Sequence, residues 1–434
     1  EWKTFSSGDA WDKPQDWQRF ALDGSPTNSK AIGGHSDALD WDRHLGHVSI
    51  IYDLLLPYLL TDGILDDDDT GIAESGNGIP DLIDTARYEV DFWLSLRTEH
   101  GYGHGLTNPL NETNTLFQAG PTAVAAWANA ANAAMLAEAY QVAGDDSLRS
   151  VYLEAAETAF QYAQQLADPM LDAQQDAGNA VFRGRDFRML AAAHLFNLTG
   201  DAAYESLIHE DSVVRENSRA LLVAREHNQL YATAAYLRSP HTVHHPRLQK
   251  RMRAALQREA YRQEASLSKK RPSRRATDEN TGWFQSTQNV QRSIVAHHFS
   301  NKDSKVRARF LDAMILEADW GLGRNPTNMI QMTTATTPLA DRRSVEMAYT
   351  SGQFDGVPGL HPGHTPYMNV DDWGGGPMIK GRPSWMTERA YPEWDQWPHA
   401  EAHFNARHIY ANSEFTPQQS MRGKMALYAY LHAL

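Results

Sequence analysis

The stretch "IPDLIDTARYEVDFWLSLR", Ile79 to Arg97, decides the fold class. Its apolar residues Ile79, Leu82, Ile83, Ala86, Val90, Trp93 and Leu94 fall at offsets 0, 3, 4, 7, 11, 14 and 15. That spacing follows one face of a 3.6-residue period and predicts an amphipathic helix. Pro80 suits the first turn, and Arg97 suits the negative end of the helix dipole. Similar patterns predict helices at about 44–60, 121–143, 146–167, 184–199, 202–209, 218–237, 245–268, 285–299, 304–322 and 414–433. Strand-like alternation is scarce.

Two helix breaks look alike. "AGDDSL" at 143–148 and "TGDAAY" at 199–204 each offer a Gly to end one helix and an Asp to cap the next. They lie 56 residues apart, the length of two helices and their loops, which predicts a repeated helical hairpin. Roughly twelve such helices can close into a ring or stay open as a solenoid, and periodicity does not choose between them. The segment 324–413 differs: Gly, Pro, His and Trp recur throughout, as in "GLHPGHTPYMNVDDWGGGPMIKGRPSW". A loop this long is usually functional, and it precedes the last predicted helix.

The 434 residues are 41% apolar, enough for a large core, and carry a net charge of −14. That balance argues against nucleic acid and other polyanions as partners. There is no Cys, so disulfides and thiolate metal sites are excluded. No segment approaches the ~18 consecutive apolar residues of a membrane span. From Arg247 to Arg275 there are eleven Lys or Arg against two Glu. Leu248, Met252, Ala255, Leu256 and Leu267 mark an apolar stripe there, so an outer helix with a solvated basic face is expected.

The densest chemistry is "GGHSDALDWDRH", Gly33 to His44. Asp37 and Asp40 stand three residues apart, just ahead of a predicted helix. Held close, two such acids can polarise one water, one taking its proton and the other orienting it. An Asp before a helix is equally a normal N-cap.

"GG-x-x-DALD" resembles the "GG-x-x-DAGD" signature of glycoside hydrolase family 9, the inverting cellulase-type enzymes. Further landmarks follow in the family's order. "ESGNGIPDLIDTARYEVDFWL" resembles its second-helix region, "GWFQSTQN" its "WGSN" segment, and "DWGLGRNPTNM" its "LGRNP-x-G" stretch. Near the end, "NARHIYANSE" resembles the family's Asp-x-Arg-x-x-Tyr-x-x-Asn-Glu, with Arg407, Tyr410 and Glu414 in matching positions. The resemblance implies an all-α (α/α)6 barrel, one domain over residues 1–434, with long loops over the active-site end. It implies an inverting glycosidase acting on a β-linked poly- or oligosaccharide. Asp40 would be the general base, Asp37 would help to hold the water, and Glu414 would be the general acid. Inversion sets the two carboxyl groups about 6.5–9.5 Å apart, and the acid must stay protonated near neutral pH.

The departures bear on substrate. Leu39 replaces the Gly of the signature, and Asn405 and Ser413 replace an Asp and an Asn. The family's His-His-Arg sugar-gripping cluster is not recognisable after Asn325; His361 and His364 are the candidates for its place. His35, Trp41, Trp283, Trp373, Arg407 and Tyr410 complete the expected substrate contacts, with Trp385, Trp394 and Trp397 as further loop indoles able to stack on sugar rings. Glu401, between His399 and His403, is a rival acid or a metal-site reading. No cofactor is required. A structural calcium would use Asp66, Asp68 and Thr70 beside Gly71, against a solvated acidic loop as the default.

Two other readings use the same residues: a polysaccharide lyase with Tyr410 or a His as base, and a non-catalytic glycan-binding relative. Asn111 and Asn197 open glycosylation sequons. The opening "EWKTFSSGDAW" already reads as folded sequence, so a leader or a β-sandwich domain is expected upstream, with secretion or a bacterial periplasm as the destination.

Overall fold

The computed structural model describes residues 30–31, 33–35, 45–67, 73–107, 117–118, 121–167, 169–177, 180–276, 290–326, 328–333, 344–345, 388–389, 391–393, 396 and 424–434. The chain groups into two units, Glu1–Arg258 with His432–Leu434, and Glu259–Leu431.

The first unit alternates two kinds of helix. Helices α1 (Ser49–Leu60), α3 (Ala123–Ala143), α5 (Gly184–Thr199) and α7 (Leu230–Leu237) are buried nearly all round. Helices α2 (Asp81–Ser95), α4 (Asp146–Gln165), α6 (Ala202–Asp211) and α8 (Pro246–Glu259) each bury one face. In α4 that face is Tyr152, Ala156, Ala159, Phe160 and Ala163. A helix apolar all round belongs inside, and a striped one belongs outside it. Alanine makes α3 thin, so its neighbours approach closely along its whole length.

The two matched breaks behave as their sequences predict. Gly144 and Gly200 end α3 and α5 in the left-handed region, at φ 79° and 72°. Asp145 then accepts from Leu148 N at 2.9 Å to start α4, and Asp201 accepts from Ala203 N at 2.8 Å to start α6. Each side-chain cap satisfies a donor that the first turn leaves open.

Several polar groups inside the first unit are tied to partners on other elements. Tyr52 Oη donates to Asn132 at 2.8 Å, and Tyr231 Oη to Asp53 at 2.6 Å. Their rings pack with Phe182 and Phe187. Glu138 on α3 takes His194 Nδ1 at 2.6 Å, Asn197 Nδ2 at 3.2 Å and Arg238. Asn197 also donates to Ala235 O, so the second sequon is part of the core and closed to a glycan.

The helix expected over 218–237 is a correction. Only Leu230–Leu237 is helical, preceded by a two-stranded turn pairing Val223 with Asn228. Side chains from elsewhere claim this backbone. Asp186 accepts from Asn228 N and Gln229 Nε2, and Arg258 donates to Ser218 O and Ala220 O. An apolar run whose peptide groups are bonded this way has no need of helical hydrogen bonds.

The second unit opens with a π-helical stretch, Ala260–Ala265, followed by α9 (Ser266–Lys270). Helices α10 (Gln291–His298), α11 (Lys305–Gly321) and α12 (Lys424–His432) follow. Glu264, in the π stretch, accepts from the first-turn amides of α10, Arg292 N at 3.2 Å and Ser293 N at 2.6 Å, and from Ser293 Oγ at 2.6 Å. Burial outweighs these donors and pushes its carboxyl up to about 7. The basic run divides. Leu248, Met252, Ala255 and Leu256 are buried as the stripe predicts, but Glu259, Glu264 and Arg275 are buried as well. Strands among the described residues are short two-stranded pieces, in keeping with an all-α chain.

Candidate active site

The aspartate motif begins with two glycines, and the structure explains them. Gly33 and Gly34 have φ of 77° and 79°, a region that side chains disfavour. They lie against one face of α2. A Cβ on Gly34 would sit 2.5 Å from Phe92 Cγ, and one on Gly33 would sit 3.2 Å from Tyr88.

His35 then fixes the chain to the same helix. Its backbone N donates to Glu89 Oε2 at 2.7 Å, and its Nδ1 lies 2.9 Å from that oxygen. The other oxygen, Oε1, accepts from Trp93 Nε1 at 2.8 Å. Glu89 is fully buried. Burial alone would raise its pKa, but the His35 bonds, the charge of His35 and that of His47 outweigh it, and the carboxyl falls below its usual range. A buried carboxylate with this many donors stays ionised. On the far side of the motif, Leu45–Val48 forms a 3-10 turn running into α1, with Leu45, His47 and Val48 buried. Residues 33–35 and 45–48, on either side of the motif in sequence, are therefore both anchored.

Asp37, Asp40 and Trp41 lie outside the described part of the structure, as do Trp283, His361, His364, Trp373, Trp385, Trp394, Trp397, His399, Glu401, His403, Arg407, Tyr410 and Glu414. His35 is the expected site residue that the structure describes, and it serves as an anchor facing Glu89. Glu89 itself was not anticipated. A signal existed: it sits one turn before Trp93, on the apolar stripe of α2, where a charge needs a buried partner.

In the acidic loop, Asp68, Thr70 and Gly71 fall outside the described residues. Asp67 accepts from Gly76 N at 3.0 Å and Gly78 N at 2.6 Å, Ser75 donates to Asp81, and Asn77 donates to Asp84. These bonds close the loop onto the start of α2. No group of three or more metal-ligating side chains occurs among the described residues.

The "GLGRNPTNM" landmark is a clamp at the end of α11. Asn325 Nδ2 donates to Trp320 O at 2.8 Å and Met329 O at 2.7 Å, and its Oδ1 accepts from Met329 N.

A chain of helical hairpins with Gly33–His35 moored on α2 has the build of a helical-barrel hydrolase. Comparison with known families makes this specific. The model for "Glycosyl hydrolase family 9" matches residues 67–344, and the chain belongs to that family. It is a glycoside hydrolase. Solved structures agree. A family 9 protein of Bacteroides ovatus aligns with TM-score 0.67 at 18% identity, over 92% of this chain and 72% of its own. A thermostable endoglucanase of Alicyclobacillus acidocaldarius aligns with TM-score 0.64 at 18% identity, over 92% of this chain and 75% of its own. The cellulase Cel9M of C. cellulolyticum aligns with TM-score 0.59 at 14% identity, over 92% and 87%. The likeness shows the fold, the all-α (α/α)6 barrel expected above. A comparison with curated protein sequences finds no match. No described helix is long and apolar enough to cross a membrane.

Proposed function

We propose that this protein hydrolyses a β-linked glucan or oligosaccharide with inversion at the anomeric carbon. Asp40 acts as the general base, Asp37 helps to hold the attacking water, and Glu414 is the general acid. Family membership supports the reaction type, and the endoglucanases among the similar structures support the substrate class. The observation that carries the assignment is the mooring of Gly33–His35 on α2. A base that must hold a water against one face of a sugar needs a fixed backbone, and the sequence spends two left-handed glycines and a backbone bond to the buried Glu89 carboxylate just ahead of Asp37. Tyr410, Arg407, His361, His364 and the loop tryptophans Trp41, Trp283 and Trp373 contact the sugar.

The hydrolysis uses no cofactor, and a calcium at the 66–71 loop would be structural. The protein acts outside the cytoplasm, where polymeric glycan is met.

The test pairs Asp40→Asn and Glu414→Gln with β-linked oligosaccharides as substrates. Each variant should keep its circular dichroism spectrum and lose about 10²–10⁴-fold in kcat, the usual contribution of a general acid or base. Proton NMR of the wild-type reaction should show the α-anomer first. Full activity in either variant, or a β-anomer as first product, overturns the assignment.

A further inference from the structure

Two histidines stack where α6 ends and α8 begins. His209 lies in the last turn of α6, and His245 immediately precedes Pro246, the first residue of α8. Their ring centres are 4.2 Å apart, and their planes are 18° from parallel. One carboxylate holds the backbone of this junction. Glu205, one turn before His209 on α6, is buried. It accepts from His244 N at 2.8 Å, His245 N at 3.1 Å, His244 Nδ1 at 2.6 Å and Tyr236 Oη at 2.6 Å. His245 O in turn accepts from Leu248 N at 2.9 Å in the first turn of α8. The stack and the Glu205 bonds therefore join the same two elements, α6 and the chain entering α8.

The charges around the stack come from four elements. On α6, Glu205 favours a proton on His209, as does the negative end of the helix dipole. Glu210 and Asp211 are bonded to Arg188. From the turn after α6, Arg215 reaches back to Glu210 O at 3.0 Å. The loop supplies His245 and, bonded to Glu205, His244. From α8 comes Arg251, with Arg247 exposed two residues beyond His245. Burial, His245, Arg215 and Arg251 outweigh Glu205 and hold the His209 pKa below the ordinary histidine value. His245 stands at the positive end of the α8 dipole, which opposes a proton there. A neutral imidazole stacks on a neutral or a charged one, but two charged rings at this distance repel.

We propose that the His209–His245 stack is an acid-sensitive latch between α6 and α8, closed while at most one ring carries a proton and opened by the second. Opening parts the end of α6 from the start of α8 and lets water reach the amides that Glu205 holds. The sign follows from His209. The unfolded chain takes up this proton at the ordinary value and the folded chain at a lower one, so the latch loses stability as pH falls through that window.

The experiment follows the full chain, with ¹³C in its histidine rings, by NMR from about pH 8 to 5. In the wild type the two rings should titrate as a coupled pair, in steps about one unit or more apart. In His245→Phe, His209 should titrate in a single step at higher pH. Hydrogen exchange then reads the latch itself. Protection of the His244 and His245 amides should fall about tenfold beyond the intrinsic pH effect between about pH 7 and 5 in the wild type. It should hold in His209→Phe, whose ring stacks without taking a proton, and in His209→Gln, which cannot charge. Both histidines are half-exposed, so these substitutions leave the core closed. His209 titrating alike in the wild type and His245→Phe, or an equal loss of protection in the wild type and the His209 variants, overturns the proposal.

Discussion

Glu89 in the first unit and Glu317 in the second are both buried carboxylates, and folding shifts them in opposite directions, Glu89 below its usual range and Glu317 above it. Glu89 is a single anion whose two oxygens are met by His35 and Trp93. Glu317 accepts from the Arg275 guanidinium through one oxygen and from Ala276 N through the other. The difference teaches what each does. A saturated buried charge holds a backbone in place, here the approach to Asp37. Glu317, met by a guanidinium and one amide, ties Arg275 and Ala276 to α11.

The largest expected effect comes from breaking the buried Arg275–Glu317 pair. Glu317→Ala leaves Arg275 buried without its carboxylate and should cost about 3–5 kcal/mol by urea unfolding. A cost below about 1 kcal/mol would mean that Arg275 is not held as described. Next is Glu89→Ala, which strips Trp93 Nε1 and His35 N of their acceptor. It should cost about 2–3 kcal/mol and also lower kcat. Unchanged kcat with lowered stability would separate the anchor from the active site. Gly34→Ala drives a Cβ into Phe92 at a positive φ, and should cost about 1–3 kcal/mol together with a drop in kcat.

The finest test uses pH, because the two units' buried glutamates shift in opposite directions. The Glu89 pKa is lowered on folding, so its stabilisation is present above the ordinary glutamate range and is lost as pH falls through its folded value. Glu264 is raised to about 7, so between the ordinary range and that value the folded chain holds a proton that the unfolded chain has released. Stability should therefore fall as pH rises across that window. Glu89→Gln should remove the acid-side loss, and Glu264→Gln should flatten the decline toward pH 7. Urea midpoints measured from about pH 2.5 to 8 read both, and slopes unaltered by the two substitutions would refute the contrast.

Much of the helical fold was legible. The breaks at Gly144–Asp145 and Gly200–Asp201 were readable because a C-cap glycine and an N-cap aspartate act through their own local backbone. The stripe Leu248, Met252, Ala255, Leu256 was readable for the same reason. Residues 218–229 were not, since their conformation depends on Asp186 and Arg258, far away in sequence. The π-helical stretch around Glu264 carries no local signal either, and the partners of Glu264 lie at the start of α10. At the candidate site the motif was recognised from its residues, but the glycines' purpose became visible only with Phe92 and Tyr88 beside them. Arg324 was read as a landmark alone, and its place against Trp320 needed the structure.

The burial of Asn197 has a practical consequence for making this protein. Its side chain spans Glu138 and Ala235 in the finished core, yet its sequon is open to modification while the chain is still being threaded into a secretory compartment. A sugar attached at that moment would block the packing of α3 against α5. A eukaryotic secretion host is thus a poor choice for production, and bacterial expression avoids the conflict.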